Sequence, residues 1–378
     1  MKTFAILFLL LAPALAVCTD TGVPGAEGTS TAMAGYGDPA AMGDPQDTTQ
    51  LVVRRVWSDS LAWPHGGVTP DGRYMTFVDW TKNELAVRDM QTGEIRYLTD
   101  RAANDPEGVN PDESIVSPDG KRVAYNWYPG GGIWDLHVVD IDGSNRKVLL
   151  EGVEGWVAAA DWAPDGQELL VGLQREDDRP TELALVSTLD GSVRVLKELR
   201  GASMLGQALF SPDGRYVAYH LATDGGSQRD IVILSVENGR ERALVEDPSD
   251  DRLLGWVPGT DFVLFESDRT GSRDAWVLEV KDGEPTAPPR LVKSDLWASV
   301  PVGFTAEGAF YFGVKVSTRG AHLANIDPET KRMLGEPTPI DPRLPGTNQR
   351  PRWSPDGRYL AYLKRNGASE GTVAIRSM

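Results

Sequence analysis

The sequence repeats a Pro-Asp-Gly motif at a nearly constant spacing, and this repetition limits the folds open to the chain more than any other feature. Five copies match closely: VTPDGRYMTFVDW, VSPDGKRVAYNWY, WAPDGQELLVGLQ, FSPDGRYVAYHLA and WSPDGRYLAYLKR. Two weaker copies, WVPGTDFVLFESD and FTAEGAFYFGVKV, complete the series. The proline or its equivalent in the seven units is Pro70, Pro118, Pro164, Pro212, Pro258, Ala306 and Pro355, at spacings of 46 to 49 residues. A fixed period of this length is typical of solenoids, propellers and arrays.

Each unit has the pattern of four short antiparallel strands. The first strand ends at the Pro-Asp-Gly motif, where proline and glycine favour a tight hairpin turn. A second strand follows, as in residues 216–219, and a third ends in an acidic or polar residue, as in residues 85–89 and 231–235. A further turn leads to a short fourth strand, such as residues 147–149. Four antiparallel strands in a unit of this length predict the blade of a β-propeller.

The fold expected is therefore all-β, a seven-bladed β-propeller of four-stranded antiparallel blades. The last unit supplies only three strands, at residues 350–353, 359–363 and 372–376. The β-rich run at residues 51–56 has the length of the missing strand, so we expect it to complete the last blade and remove the open sheet edges. This arrangement predicts one propeller domain over residues 50–378.

The amino terminus has the pattern of an export signal. Lys2 precedes an apolar run over residues 4–11, and the small-residue sequence Ala14-Leu15-Ala16 follows. The run is shorter than the ~20 residues that span a bilayer, so residues 1–17 are interpreted as a secretory signal peptide.

The only cysteine of the chain, Cys18, comes directly after this signal. Leu15-Ala16-Val17-Cys18 resembles the bacterial lipobox, in which the cysteine is acylated, although Val17 departs from the small residue usual there. Two hypotheses stand, a lipid-anchored periplasmic or cell-surface protein and a simply secreted one.

Residues 18–49 are rich in Gly, Ala, Thr, Asp and Pro and predict a flexible tether.

The charge of the chain excludes one class of partner. Lys and Arg total 38 and Asp and Glu total 55, which leaves a net charge of −17. Such a chain repels a phosphate backbone instead of releasing its counterions. We therefore expect no nucleic-acid partner. Separately, we expect no membrane contact other than a lipid on Cys18, and a monomeric protein.

The repeated motif carries a family resemblance. The pattern [FW]-S-P-D-G-[KR]-x-[VIL]-A-[YF], as at residues 210–219 and 353–362, resembles the WD-like repeat of TolB propellers and of prolyl-oligopeptidase-type peptidases. The resemblance covers almost all of the chain after residue 50 and implies a propeller, a fold that hosts unrelated functions. TolB carries an additional amino-terminal domain and six blades, so a Tol-Pal role is not implied. We expect no counterpart of the separate hydrolase domain of the peptidases.

Catalytic and metal-binding motifs are not indicated. The Asp of each repeat is interpreted as turn-forming, because Asp before Gly bonds to its own turn. Residues 140–143 are interpreted as a turn and not as a calcium loop, since glycine comes at the fourth position. The G-x-S-x-G match at residues 367–371 lacks the strand-turn-helix context of a hydrolase nucleophile. We predict no catalytic residue, no metal and no cofactor.

The histidines test one enzyme hypothesis. Oligogalacturonate lyases, which the repeat also resembles, hold a divalent metal through clustered histidines. This chain has four, and His137 and His322 fall in third strands, away from the propeller axis. We therefore expect no shared metal site, and His65 and His220 are interpreted as packed or solvated.

The connections between second and third strands, and those between blades, share one end of a propeller, where partners usually bind. We call this end the loop face and the opposite end, formed by the Pro-Asp-Gly turns, the turn face. Exposed aromatic residues are typical interface anchors. The candidate binding residues on the loop face are Trp63, His65, Asp79, Trp80, Trp127, Tyr128, Trp156, Asp268, Arg269 and Trp297.

Three functional hypotheses remain. The favoured one is an exported, non-catalytic propeller that binds a protein or carbohydrate partner through the loop face. The alternative is a lyase or hydrolase that uses carboxylates and Arg269 at the channel mouth, and the third is a regulatory propeller whose partner supplies the catalysis. For each aromatic candidate, packing between blades is a competing interpretation.

Overall fold

The structure is a computed structural model and describes most of the chain after residue 52. The described residues are 2–10, 53–59, 62–63, 65–100, 109–175, 180–199, 206–222, 228–294, 296, 300–317, 322–330, 332–339, 348–365 and 371–377. These residues form strands and turns without a helix, so the all-β prediction is confirmed. Within them there is accordingly no apolar helix of membrane-spanning length.

Each of the first five repeats forms an antiparallel sheet of at least four strands. Blade one comprises Ala62–Trp63, Tyr74–Asp79, Glu84–Asp89 and Ile95–Tyr97. Blade two comprises Asn110–Val116, Arg122–Gly130, Ile133–Asp140 and Lys147–Glu154. Blade three comprises Trp156–Trp162, Glu168–Gln174, Thr181–Ser187 and Val193–Leu199.

Blades four and five continue this order. Blade four comprises Ala208–Phe210, Tyr216–Ala222, Arg229–Ser235 and Glu241–Val245. Blade five comprises Arg252–Trp256, Phe262–Ser267, Asp274–Lys281 and Arg290–Lys293, and Glu284–Pro285 pairs with the end of its third strand. The predicted strand order within these repeats is confirmed.

The conserved geometry of the first hairpin comes from one hydrogen-bonded turn. The Ser211 hydroxyl donates to Asp213 Oδ1 at 2.5 Å, and that oxygen accepts the Arg215 N–H at 3.1 Å. The Gly214 N–H donates to the Ser211 carbonyl at 2.8 Å, with Gly214 at φ +71°. The equivalent bonds recur at Thr69, Ser117 and Ser354. The interpretation of the repeat Asp residues as turn-forming is confirmed.

These turns also set the charge state of their carboxyls. Hydrogen bonds from the Ser117 hydroxyl and the Lys121 N–H lower the pKa of Asp119 below its ordinary value. The Asp119 carboxyl is thus held ionised and bonds within its own turn.

The predicted turn at residues 140–143 is also present, since the Gly143 N–H donates to the Asp140 carbonyl at 2.8 Å.

A separate apolar core fills each space between neighbouring blades. The second strand of blade three, Glu168–Gln174, is buried at five consecutive positions, because other blades pack on both of its faces. On one side, Leu170 shares a core with Phe210 and Tyr219 of blade four. Burial on both faces explains why the second strands have continuous apolar runs and not alternating patterns.

The sixth repeat departs from the prediction. Its strands Val300–Phe304 and Ala309–Ser317 lie in a four-stranded sheet with Lys2–Leu10 and Val53–Asp59. Lys2–Leu10 occupies the position between Ala309–Ser317 and Val53–Asp59, and it pairs with the latter so that Phe4 lies opposite Asp59. The expected third and fourth strands, His322–Ile326 and Met333–Pro339, pair with each other in a sheet of two.

The assignment of residues 51–56 to the last blade is therefore wrong for the part of this run that is described. Val53–Asp59 pairs with Lys2–Leu10, whereas the seventh repeat is a three-stranded sheet of Asn348–Trp353, Tyr359–Arg365 and Gly371–Ser377. The physical reason is that the apolar run 2–10 has the length of a strand and satisfies the backbone groups of two neighbours at once. Sequence analysis removed this run from the fold as a signal.

The described strands fall into two compact units. One holds the described residues of 4–12 and 50–314, and the other holds those of 315–378 with residues 2 and 3. Within the first unit, the Ala306 N–H donates to the Pro70 carbonyl at 2.7 Å, and Val302 shares a core with Val68. The sixth repeat therefore contacts the first directly, and the predicted seven-bladed ring is not confirmed. A repeat pattern specifies the shape of a blade better than the number of blades, because all blades offer similar apolar faces.

Candidate binding face

The loop face of blades one to five is the end where their second and third strands are connected. Antiparallel pairing places these connections opposite the Pro-Asp-Gly turns, as the prediction required. Two of the candidate residues have side chains outside the described part of the chain. Trp297 lies outside the described residues, as does Cys18, and of Trp63 only the backbone is described, in the short strand paired with Val78 and Asp79.

In blade one, Asp79 organises the connection that carries Trp80. Burial acts to raise the pKa of Asp79, but hydrogen bonds from the Thr81 hydroxyl and Tyr97 outweigh it and lower the pKa. The Tyr97 hydroxyl donates to Asp79 Oδ2 at 2.9 Å, and the Thr81 N–H donates to Oδ1 at 2.9 Å. Trp80 is 39% exposed. Asp79 is thus a structural acceptor, while Trp80 presents an accessible ring.

His65 links blades one and two. Its Nδ1 lies 3.1 Å from Glu113 Oε1, and its backbone carbonyl accepts the Ser114 N–H at 3.2 Å. Both side chains are partly exposed. These contacts fit a partly exposed residue that joins two blades.

The aromatic residues of blade two are packed against neighbouring side chains, and Trp127 also borders the core between blades one and two. The Trp127 ring stacks on His137 at 6.1 Å between centroids, and the Arg146 guanidinium lies 5.1 Å from the Trp127 centroid. The centroids of the Tyr128 and Trp134 rings lie 4.9 Å apart. The structure therefore favours packing over free exposure for Trp127. Trp156 is half-buried where it begins the first strand of blade three.

This difference between Trp80 and Trp127 predicts unequal costs of truncation. Trp127→Ala is expected to lower the free energy of unfolding by about 2 to 3 kcal/mol, because it removes a ring packed on His137 and Arg146. Trp80→Ala is expected to cost less than about 1 kcal/mol at its more exposed position. Urea unfolding of both variants measures the difference, and equal losses would contradict the packing described for blade two.

A network of ion pairs joins blades four and five at the loop face, and its centre is Asp250. Arg229 Nη1 donates to both oxygens of Asp250, at 2.8 and 3.1 Å. Arg252 Nη2 lies 2.9 Å and Arg273 Nη2 2.6 Å from Asp250 Oδ2. The Asp250 side chain is only 7% exposed. Three guanidinium groups thus share one nearly buried carboxylate.

The two predicted charged residues of blade five lie beside this centre. Asp268 Oδ1 accepts the Asp250 N–H at 2.9 Å. Arg269 Nη2 pairs with Asp251 Oδ1 at 2.9 Å, and the Arg269 guanidinium lies 5.0 Å from the Trp276 ring centroid. Asp268 and Arg269 therefore hold the connection in place, and Arg269 is committed to a buried partner.

Burial shifts the pKa values of Glu266 and His220, which lie in this network. Burial raises the pKa of Glu266 to about 7, although Arg273 at 3.4 Å favours its ionised form. Burial also lowers the pKa of His220 to about 4, and the positive charges of Arg229 and Arg252 contribute to the lowering. His220 Nδ1 accepts the Leu253 N–H at 3.1 Å. The neutral imidazole is a structural acceptor in this network.

His137 is held in a similar way. Its Nδ1 accepts a hydrogen bond from Arg146 Nε at 3.1 Å, and burial lowers its pKa to about 4. In the described part of the chain, no three His, Cys, Asp or Glu side chains are grouped so that they could hold a metal ion. For His322 only the backbone is described, in its strand.

Sequence analysis missed most of the network. The missed residues are Arg229, Asp250, Asp251, Arg252, Glu266 and Arg273. A signal was present, because charged residues stand at the boundaries of strands that meet at one end of two adjacent blades. The spacing that joins them is set by the strand register, in which Arg252 lies opposite Glu266. The candidate set included Asp268 and Arg269 from this end of blade five, but it did not include their partners in the preceding connection.

Comparison with known proteins links the chain to one group of propellers. No protein-family model matches the sequence. The Tol-Pal system protein TolB of Anaeromyxobacter dehalogenans strain 2CP-C is 34% identical over 127 residues, which cover 34% of this chain and 27% of that protein. The protein of the same name from Francisella tularensis subsp. mediasiatica strain FSC147 is 21% identical over 250 residues, 66% of this chain and 54% of that protein. The chain spans about a quarter to a half of these relatives.

Solved structures that superpose on this chain include a protein named TolB and a hydrolase. The putative TolB from Agrobacterium tumefaciens superposes with a TM-score of 0.53 at 15% identity, over 70% of this chain and 94% of that one. Puromycin hydrolase gives a TM-score of 0.50 at 21% identity, over 83% of this chain and 55% of that one. Likeness at these identities concerns the fold alone. Together with the repeat and the sheets, the comparisons support a TolB-like β-propeller.

Proposed function

We propose that the chain is an exported, non-catalytic propeller that binds a protein partner through its loop face. The observation that carries this proposal is the ion-pair network of blades four and five, where partly exposed guanidinium groups surround Asp250. Arg and Trp are enriched at protein interfaces, and the loop face carries these arginines in blades four and five and the exposed Trp80 ring in blade one. The relatives named Tol-Pal system protein TolB support a protein partner, since that name describes a component of a multi-protein system.

The enzyme alternative has one supporting observation, the pKa of Glu266 near 7, a value suited to acid and base chemistry. Glu266 is only 1% exposed and is paired with Arg273. A carboxyl in that position does not reach a substrate atom at the surface. The geometry therefore favours binding over catalysis by this group.

Photo-crosslinking in the native cell tests the binding proposal. A photoreactive amino acid at Lys82 or Gly131 probes the loop face, and the same amino acid at Lys121 or Glu307 probes the turn face. We expect adducts from the loop-face positions that are sensitive to protease. Adducts from the turn face alone would contradict the proposal, and adducts sensitive only to glycosidases would replace the protein partner by a carbohydrate.

We also propose that Cys18 is acylated after removal of residues 1–17, so that residues 18–49 tether the propeller to a membrane. Cleavage there would remove the strand Lys2–Leu10 and leave Val53–Asp59 without that partner. Mass spectrometry of protein from the native cell is expected to show a lipid-sized increment on an amino-terminal Cys18, and Cys18→Ala should release the protein from membranes. A mature chain that begins at Val17 would instead establish simple secretion, and retention of residues 2–10 would exclude both routes.

A further inference from the structure

We propose that Arg229, Arg252 and Arg273 form a binding site for a carboxylate of the protein partner. This inference rests on the proposed function and gives the chemistry of the contact. The three guanidinium groups converge on Asp250 at 2.6 to 2.9 Å from blades four and five. Their side chains are 31%, 33% and 25% exposed, whereas the Asp250 side chain beneath them is nearly buried. The cationic groups therefore form the accessible layer of the network.

Hydrogen-bond capacity supports the site. A guanidinium has five N–H donors, and a carboxylate accepts about four hydrogen bonds, so Asp250 cannot satisfy three guanidinium groups. Glu266 accepts one further contact, from Arg273 Nη1 at 3.4 Å. Within the described part of the chain, the hydrogen bonds of these arginines leave Arg229 Nη2 and Nε, Arg252 Nη1 and Arg273 Nε without an acceptor. These donors are available to a ligand.

The three guanidinium groups supply the positive charge that an anion needs. Three guanidinium charges face the carboxylates of Asp250 and Asp268, and Glu266 is partly neutral near pH 7. Arg269 and Asp251 neutralise each other. Burial is the main cause of the lowered pKa of His220, the charges of Arg229 and Arg252 add to it, and Asp250 opposes it. The chain has a net charge of −17, and the neighbouring loop residues include Asp230, Glu246 and Asp247, so the three arginines are a local concentration of positive charge within a mixed cluster.

A carboxylate fits the arrangement because paired guanidinium N–H groups match its two oxygens in a bidentate geometry. Within a protein partner, Asp, Glu or a chain terminus supplies this group. Phosphate offers the same oxygen geometry and is therefore a competitor in the test. Uronic acids of a glycan carry the same carboxylate and are a second competitor.

The experiment measures binding of a carboxylate peptide to the intact propeller. The probe is a fluorescent hexaglutamate peptide blocked at both ends, and the matched control is the hexaglutamine peptide. We expect the hexaglutamate peptide to bind in a salt-sensitive manner and Arg229→Gln to weaken it at least tenfold. Arg229→Gln leaves Arg252 and Arg273 on Asp250, so the variant should remain folded. Arg229→Lys keeps the positive charge but lacks the paired N–H groups of a guanidinium, so we expect an intermediate loss of peptide affinity.

Arg215→Gln is the matched control. Arg215 lies at the turn face and pairs with Asp213 and Asp282, so its loss should leave peptide binding unchanged. Melting curves of all variants separate loss of binding from loss of fold. Equal binding of the two peptides, or unchanged binding in Arg229→Gln, would overturn the site. Tighter binding of inorganic phosphate or polygalacturonate, with the same Arg229 dependence, would overturn the assignment to a protein carboxylate.

The two proposals fail in distinguishable ways. Loop-face crosslinks to a protein, combined with peptide binding that ignores Arg229→Gln, would leave the proposed function standing and remove the carboxylate site. Arg229-dependent peptide binding combined with crosslinks from the turn face alone would keep an anion site but contradict the proposed function.

Discussion

Asp250→Asn is expected to lower the free energy of unfolding by about 3 kcal/mol at neutral pH. The change removes the negative charge that Arg229, Arg252 and Arg273 share and leaves three guanidinium groups close together. Breaking one partner of a buried ion pair typically costs 3 to 5 kcal/mol, and the partial exposure of the arginines keeps the loss near the lower value. Chemical unfolding of the wild type and the variant measures the difference.

The control for this prediction is Asp282→Asn. Asp282 pairs with Arg215, and its side chain is 78% exposed, so the loss should stay below about 0.5 kcal/mol. A loss of similar size in the two variants would show that the network contributes no more than a surface ion pair. Such a result would also remove the structural basis of the proposed carboxylate site.

The pH dependence of this contribution has a definite sign. Burial acts to raise the pKa of Asp250, but hydrogen bonds from Arg273 and the charge of Arg252 outweigh it and hold the pKa below its ordinary value. A carboxyl with a lowered folded-state pKa stabilises the fold above its unfolded pKa of about 3.9 and loses that contribution as the pH falls through the folded value. The difference between wild type and Asp250→Asn should therefore shrink in acid.

Asp161→Ala is expected to cost about 2 to 4 kcal/mol. Asp161 Oδ2 accepts the Phe210 N–H at 2.8 Å, which connects blade three to the first strand of blade four, and Oδ1 accepts the Trp162 N–H at 2.8 Å. Removal of the side chain leaves two N–H groups without acceptors, at about 1 to 3 kcal/mol each. Asp165→Ala is the matched control, since Asp165 accepts only the Gln167 N–H in an exposed turn.

Asp161 should affect stability with the opposite pH dependence. Burial raises its pKa to about 7, although both N–H bonds favour the ionised form. A raised carboxyl pKa means that the folded state holds the proton more tightly, so this contribution is greatest below about pH 4 and is lost as the pH rises toward 7. We expect the stability difference between wild type and Asp161→Ala to narrow over that range. A difference that grows with pH would show that the N–H bonds outweigh burial.

Local features of this fold could be predicted because each depends on a few neighbouring residues. The turn at Ser211 and Gly214 follows from the residue types in one hairpin, and it recurs wherever those types recur. The number of blades depends on which apolar faces pack together between residues far apart in the sequence. In this chain, Val302 of the sixth repeat shares a core with Val68 of the first repeat. Lys2–Leu10 shows the same limit, since one apolar run fits a signal peptide and a strand equally well.

The candidate site was also only partly predictable from the sequence. Asp268 and Arg269 were found because they follow the second strand of blade five, but their partners Asp250 and Asp251 belong to a different connection. Trp127 was selected as an exposed anchor, whereas the distance from its ring to His137 and Arg146 shows a packed side chain. Residue type predicts what a side chain could bind, and only the strand register determines which side chains meet.

Hydrogen exchange of the propeller with its crosslinked protein partner tests the central claim most directly. We expect slower exchange on binding at the loop-face connections and unchanged exchange at the turn face. The loop-face connections are residues 79–84, 130–133, 246–251 and 268–273, and the turn-face segments are residues 117–121 and 211–215. Protection confined to the turn face, or exchange that is the same with and without the partner, would contradict the claim that this propeller recognises a protein through its loop face.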